Sequence, residues 1–260
     1  MTIRTLAYTI LFILIIAPPA QGQESITLTN GYWPPFFSSS FKYGGIGSRI
    51  CSEAFAEAGI EVNYVYMPWK RSLLTAKKGD FEGSVGWRKT PETERAFYFS
   101  DPILMGKTVF FHKRGKQFNW ETLDDIGHLR VGGTLGYVYK DLLLPIAEKN
   151  GGKYDEALTD KSNLQKLAAG RIDIFPCEEA VGYYLLRSQM LPGTADLIKH
   201  HPKSLLERDL CLVISKKTPN GKELIKRFNK GLAKIKADGR YDQFMIESVS
   251  GDYMPKRPKQ

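Results

Sequence analysis

Little in this chain of 260 residues reads as catalytic machinery, and little as a covalent or metallic staple. Cysteine occurs only at Cys51, Cys177 and Cys211, too few over this length for a disulfide framework. A Cys177–Cys211 bridge stays open, and Cys51, on an expected helix, reads as a buried thiol. The four histidines (His112, His128, His200 and His201) show no metal-ligand spacing, so no metal site is expected. The adjacent His200 and His201 read as solvated loop residues. No G-x-S-x-G, H-E-x-x-H, C-x-x-C or P-loop is present, which removes the strong signatures of serine hydrolases, zinc proteases, dithiol redox proteins and NTPases. Gly45-Ile46-Gly47-Ser48-Arg49-Ile50 starts like a dinucleotide fingerprint but lacks its last glycine, and no cofactor is expected.

Long apolar runs are scarce as well. Ile10–Ala17 (ILFILIIA) follows the positive charge of Arg4 and is broken by Pro18-Pro19. Extended back to Leu6, it still falls short of the ~20 residues needed to span a bilayer. Ala20-Gln21-Gly22 sets small residues where a signal peptidase cuts, so 1–22 reads as a signal peptide cleaved after Gly22, with the mature chain in the periplasm. An uncleaved N-terminal anchor is the alternative, and no cysteine follows the run to carry a lipid.

What is present is an ordinary globular composition: 42% hydrophobic, 25% charged and 12% aromatic residues. That excludes disorder, collagen, coiled coil and a multi-span membrane protein. The net charge is +9, but the basic excess is spread along the chain. Only Lys222–Lys236 and Met254–Gln260 are locally basic, so the charge reads as a solvated surface rather than a nucleic-acid footprint.

After Gln23 the pattern alternates strand and helix. Ser25–Asn30 alternates as a strand, and Gly31–Ser40 (GYWPPFFSSS) is a stiff aromatic loop because Pro34-Pro35 forbids helix. Ser48 is placed to cap a helix carrying Ile50, Ala54 and Ala58 and stopped by Gly59. Strand Glu61–Tyr66, helix Trp69–Lys78 and strand Gly83–Trp87 follow, a βαβαβ unit that demands a mostly parallel sheet with helices on both faces. The same grammar restarts after Ser100-Asp101-Pro102. It runs through strands Lys107–His112 and Leu129–Gly132, helix Tyr137–Leu144, helix Lys161–Ala169 capped by Asp160, strand Ile172–Phe175 and helix Glu178–Gln189. Strand Leu210–Ser215 and two helices, Gly221–Ala237 and one after Gly239, close the chain. Two α/β units imply two lobes with ligand sites outside the carboxyl ends of their strands.

Tyr32 and Trp33 sit on the proline-stiffened loop, Trp69 opens a helix just after a strand, and Trp87-Arg88 ends another strand. Three tryptophans at positions expected to face a cleft favour a binding site, because rigid rings hold ligands at low entropic cost. Each taken singly is equally consistent with a core role.

With Trp33-Pro34-Pro35-Phe36, Thr90-Pro91-Glu92, Phe99-Ser100-Asp101-Pro102, Leu167-Ala168-Ala169-Gly170-Arg171-Ile172-Asp173 and Ala237-Asp238-Gly239 in this order, the chain resembles the family 3 periplasmic solute-binding proteins, the polar-amino-acid receptors of ABC transporters. The resemblance covers nearly all of the chain after residue 22. It implies the α/β, two-lobed type II periplasmic binding protein fold, each lobe a mostly parallel sheet flanked by helices, joined by two hinge strands. Lobe 1 would be 23–106 with 210–260, and lobe 2 would be 107–209.

The resemblance also implies a recognition scheme: a T-P-E-R arginine and nearby hydroxyls on the ligand carboxylate, a lobe 2 carboxylate on its ammonium, and an aromatic over its side chain. This chain departs from it. The arginine position is Thr93, the upstream hydroxyl position is Arg88, and the lobe 2 Gly-Thr-Thr turn reads Gly136-Tyr137-Val138, while the acidic position is kept as Glu178. Two readings follow. In one, Arg88 replaces the missing arginine and holds a carboxylate, Glu178 holds a cation, and Trp33, Trp69, Trp87 and Tyr137 form the walls, an arrangement that also suits a methylated ammonium. In the other, the cleft no longer takes a free amino acid, and Arg88 pairs on the surface with Glu92 or Glu94. The expected ligand-binding set is therefore Tyr32, Trp33, Trp69, Trp87, Arg88, Thr93, Tyr137 and Glu178, with no catalytic residue. The expected role is capture of a small polar solute by a monomer for the membrane permease of an ABC transporter. Alternatives are a sensor protein that feeds a membrane receptor, or a dehydratase-like enzyme using Glu178 as acid or base.

Overall fold

The computed structural model describes residues 23–191 and 193–255; the expected signal peptide and all but the first two residues of the basic tail lie outside them. In the first lobe, β1 (Glu24–Asn30), α1 (Ile46–Ala56), β2 (Ile60–Tyr66), α2 (Trp69–Lys78), β3 (Gly83–Trp87) and α3 (Pro91–Ala96) lead into the long β4 (Phe97–Lys113). In the second, β5 (Arg130–Thr134), α4 (Tyr139–Asn150), β6 (Lys153–Ala157), α5 (Asp160–Ala168), β7 (Ile174–Glu178), α6 (Glu179–Ser188) and α7 (Thr194–Leu197) lead into the long β8 (Ile198–Ser215). Helices α8 (Gly221–Ala237) and α9 (Arg240–Ser250) return to the first lobe.

Among the described residues, eight strands form one mixed sheet in the order β2-β1-β3-β8-β4-β7-β5-β6. Within each lobe the short strands run parallel, β1 with β2 and β3, and β5 with β6 and β7. The antiparallel pair β4–β8 runs through the middle and belongs to both lobes. The lobe limits expected from sequence, at residues 106 and 209, fall inside these two strands, where Gly106 faces Arg208 and Met105 faces Asp209. β4 takes in Ser100-Asp101-Pro102, and β8 takes in His200 and His201, neither of which reads as strand in the sequence. The reason is physical: four register irregularities between Phe99 and Phe111 break the alternation that a strand prediction relies on.

Helix α1 buries Ile50, Cys51, Ala54 and Phe55, and Phe55 stacks against Phe228 of α8 at 4.9 Å. Its cap differs from the expectation. Gly45 occupies the N-cap, while Ser48 is buried and its hydroxyl accepts from Asn30 Nδ2 and donates to the Gly44 carbonyl, each at 3.0 Å. α5 is likewise capped by Thr159, whose hydroxyl accepts from the Ser162 amide, and not by Asp160. The acidic residue of the Gly-Arg-Ile-Asp run, Asp173, accepts two bonds from the Arg130 guanidinium at 2.8 and 2.9 Å, which hold its carboxyl well below the usual carboxylate range. That stretch is therefore a lobe 2 staple. In the second lobe, Trp120 is buried edge-on against Phe110, with centroids 5.3 Å apart.

One open point is settled and one further expectation is corrected. Cys51, Cys177 and Cys211 are all free and buried, so the Cys177–Cys211 bridge is absent. His200 and His201 are strand residues with partners: His200 is half-buried with Nδ1 2.7 Å from the Tyr183 hydroxyl, and His201 is buried with Nε2 3.0 Å from Asn119 Oδ1.

Candidate functional site

Between the lobes lies a cavity of about 350 Å³, within the lower range of small-ligand sites, which run from about 300 to 1,000 Å³. Its lining comes from the carboxyl ends of strands in both lobes: Trp33 after β1, Trp69 after β2, Trp87 and Arg88 at β3, Tyr137 after β5, Asp160 after β6 and Glu178 at β7. Parallel strands all end on the same edge, and the loops there carry side chains without disturbing the ladder, which is why this edge forms the site.

The first-lobe wall is a fixed aromatic corner. Trp69 and Trp87 meet edge-to-face at 5.4 Å, and Phe37 braces Trp69 from behind at 5.8 Å. Two glycines permit this packing. Gly86 has φ +88°, and a Cβ there would lie 2.7 Å from the Phe37 ring; a Cβ on Gly31 would overlap the Trp69 indole at 2.1 Å. The Trp87 indole is oriented by a bond from Nε1 to Ser84 Oγ at 2.7 Å. Ser84 is itself buried, donates to the Thr29 carbonyl at 3.0 Å and lies 2.9 Å from Ser72 Oγ.

Arg88 enters this corner half-buried. Among the described residues no ion pair forms at its guanidinium; the neighbouring Lys89 takes Glu94 instead, at 3.0 Å. Burial lowers the Arg88 pKa, the nearby Arg208 charge lowers it further, and Tyr139, Tyr137 and Glu178 act in the opposite sense. Thr93 shares a reciprocal cap of α3 with Thr90: the Thr90 hydroxyl accepts from the Thr93 amide, and the Thr93 hydroxyl accepts from the Thr90 amide at 3.0 Å. Both threonines line the cavity.

The second-lobe wall carries the acids. Glu178 is 7% exposed, and burial pushes its pKa up to about 8, against the pull of the Ala180 and Lys107 amides and of Arg88. Asp160 is also raised by burial, opposed by hydroxyl donors: Thr134 Oγ1 at 2.5 Å and the Tyr137 hydroxyl at 3.4 Å. Tyr137 stands edge-on to Tyr139 at 5.6 Å, and the Tyr139 hydroxyl lies 3.2 Å from Thr108 Oγ1. The helix expected from Tyr137 starts at Tyr139, which leaves Tyr137 on the turn and free to face the cavity.

Of the eight residues singled out from sequence, Trp33, Trp69, Trp87, Arg88, Thr93, Tyr137 and Glu178 line this cavity. Tyr32 does not; it is 58% exposed and lies beside Tyr184 of α6. Sequence reasoning missed Thr90, Tyr139 and Asp160. The signal for Asp160 was its place at a strand end, hidden because Lys153–Ala157 (KYDEA) has no apolar alternation. Among the described residues, no group of three or more potential ligands gathers as a metal site.

Residues 26–247 match the bacterial extracellular solute-binding proteins, family 3. The fold is similar to that of an ancestral arginine-binding protein bound to arginine (20% identity, 86% of this chain and 97% of that one, TM-score 0.65). It is similar also to substrate-binding domain 2 of Lactococcus lactis GlnP in an open conformation (17%, 87% and 96%, TM-score 0.68). A histidine kinase sensor domain with similarity to periplasmic binding proteins matches at 18% identity over 87% of this chain and 97% of that one, with TM-score 0.68. No curated protein matches the chain.

Proposed function

Because the chain belongs to family 3 of the bacterial extracellular solute-binding proteins, we propose that it captures a small polar solute, an amino acid or a related amine–carboxylate compound, in the cavity between its lobes. The observation that carries this reading is the pairing of opposite needs across one cavity. A guanidinium that pairs with no acid among the described residues stands on the first lobe and a buried carboxyl on the second, with indole walls beside them. Each is costly to desolvate alone, and a ligand bearing a carboxylate and an ammonium relieves both.

Such a ligand touches both lobes at once only when they are closed over it, so binding shifts the population toward the closed form. Flexing is assigned to β4 and β8, the two strands common to both lobes. The remaining readings belong to the same proposal: lobe 1 as 23–106 with 210–260, lobe 2 as 107–209, export to the periplasm after cleavage at Gly22, a monomeric state, and delivery to an ABC-type permease. Likeness to a sensor kinase domain supports a second output for the same closed form, recognition by a membrane receptor. The dehydratase-like reading is not taken up, because the matching family and the similar structures named above are binding proteins.

A thermal-shift screen with amino acids, betaines, polyamines and small peptides tests the reading. A ligand at 100 times its dissociation constant should add about 2.7 kcal/mol of stability. Arg88→Ala and Glu178→Ala should each erase that gain while the unliganded proteins still melt cooperatively. If both variants respond as the parent does, the site is elsewhere.

A further inference from the structure

The acids and the base of the cavity are ordered along the sheet. Arg88 stands at the end of β3, Glu178 at the end of β7, and Asp160 at the start of α5, just past β6. In the strand order these positions run β3, then β7, then β6, with β5 between the last two. For a guest whose carboxylate meets Arg88 and whose ammonium meets Glu178, Asp160 lies beyond the ammonium along the sheet order, where a substituent directed away from the carboxylate meets it. Neighbouring strands lie about 4.8 Å apart, so β7 to β6 is about 10 Å between backbones. Two carboxyl side chains reaching into the same cavity shorten that gap toward the length of a three- or four-carbon chain bearing a charge.

Asp160 is not spent on protein partners. Thr134 and Tyr137 give it one hydroxyl donor on each oxygen, and a carboxylate accepts about four such bonds. No cation of the protein pairs with it among the described residues, whereas Asp155, Glu156 and Asp173 around it are all matched by Lys or Arg. Tyr137, Tyr139 and Val138 supply the flanking walls, and an apolar stem carrying a charged head is what such a slot accommodates.

We propose that Asp160 is the specificity-determining residue of the cleft, receiving a second positive centre, so that the protein selects α-amino acids with a cationic side chain over their neutral isosteres. This rests on the cleft being an amino-acid site with Arg88 and Glu178 at the α-carbon. Glu178 alone would not discriminate among side chains. Asp160 does so by leaving its own charge unmatched when the guest is neutral.

The test is titration calorimetry of the protein with L-arginine, L-lysine and L-citrulline, the last being the neutral isostere of arginine. The parent should bind arginine at least about 10-fold more tightly than citrulline, the worth of one charge-assisted hydrogen bond. Asp160→Asn should bring that ratio near one while the citrulline affinity changes by less than about 3-fold. A purely structural role for Asp160 would instead weaken both ligands together. Asp160→Ser serves as a second variant if the amide fails to melt cooperatively, and the same collapse of the ratio is expected. A parent that prefers citrulline, or a ratio that survives both substitutions, overturns the role of Asp160. The amino-acid reading still stands in that case, provided that Arg88→Ala abolishes binding. A parent that binds none of the three overturns both.

Discussion

At the scale of single residues the molecule turns on groups kept away from their usual charge state. Glu178 holds its proton to about pH 8, against an ordinary value of 4.5, because it is buried. Between those values the folded chain binds more protons than the unfolded one. The stability this gives is full below about pH 4.5 and is lost as pH rises through 8, with a slope approaching about 1.4 kcal/mol per pH unit. Glu178→Gln should lack that decline, which paired urea melts of parent and variant from pH 5 to pH 8 would reveal; parallel curves would show that the carboxyl is already ionised. Binding has the opposite trend. A cationic guest favours the ionised carboxylate, so affinity should strengthen over the same range. The sequence marked Glu178 and Arg88 because they stand at strand ends beside tryptophan or in a recognisable acidic register. No such mark falls on Asp160, whose neighbouring edge strand, KYDEA, is mostly charged and lacks apolar alternation.

At the scale of elements, β3 shows how a short segment aims a wall. Ser84 is the acceptor for Trp87 Nε1, a donor to β1 through the Thr29 carbonyl, and the partner of Ser72 on α2. Ser84→Ala leaves a half-buried indole N–H and a buried serine hydroxyl short of a partner, at a cost of about 1–3 kcal/mol in denaturant melts. Ligand affinity should fall as well, since Trp87 loses its hydrogen-bond anchor and keeps only its edge-to-face contact with Trp69. An unchanged melt would mean that water replaces the hydroxyl. β3 and α2 were legible to the residue, because Gly79 stops the helix in the left-handed region and the strand is short and regular. The six-residue α3 was not: no helix is assigned from sequence between β3 and Ser100, and the threonine at the third helical position completes a reciprocal cap that propensity does not foresee. β4 and β8 were only half legible for a different reason. A strand shared by two lobes changes its buried face partway, so neither period nor polarity stays constant along it.

For the whole molecule, the placement of the four tryptophans separates cavity wall from core. Trp33, Trp69 and Trp87 line the cavity, whereas Trp120 is packed in the second lobe. Saturating ligand should therefore change the intrinsic emission, and Trp120→Phe should keep that change intact. Loss of the signal in that variant would move the site into the second lobe core. The two-lobe plan itself was legible from the repeated strand–helix grammar, but the joining of both lobes into a single eight-stranded sheet was not, because pairing between distant strands leaves no local trace. The shared β4–β8 ribbon, 17 and 18 residues long and interrupted by register shifts, has an effect at a distance. If the lobes close as proposed, the bends at these irregularities govern how far the jaws gape at rest, and that resting aperture governs how much of the contact energy is consumed in shutting them. In that scheme grip and selectivity lie in different residues, so a substitution in the ribbon should retune how tightly every guest is held while leaving their ranking untouched.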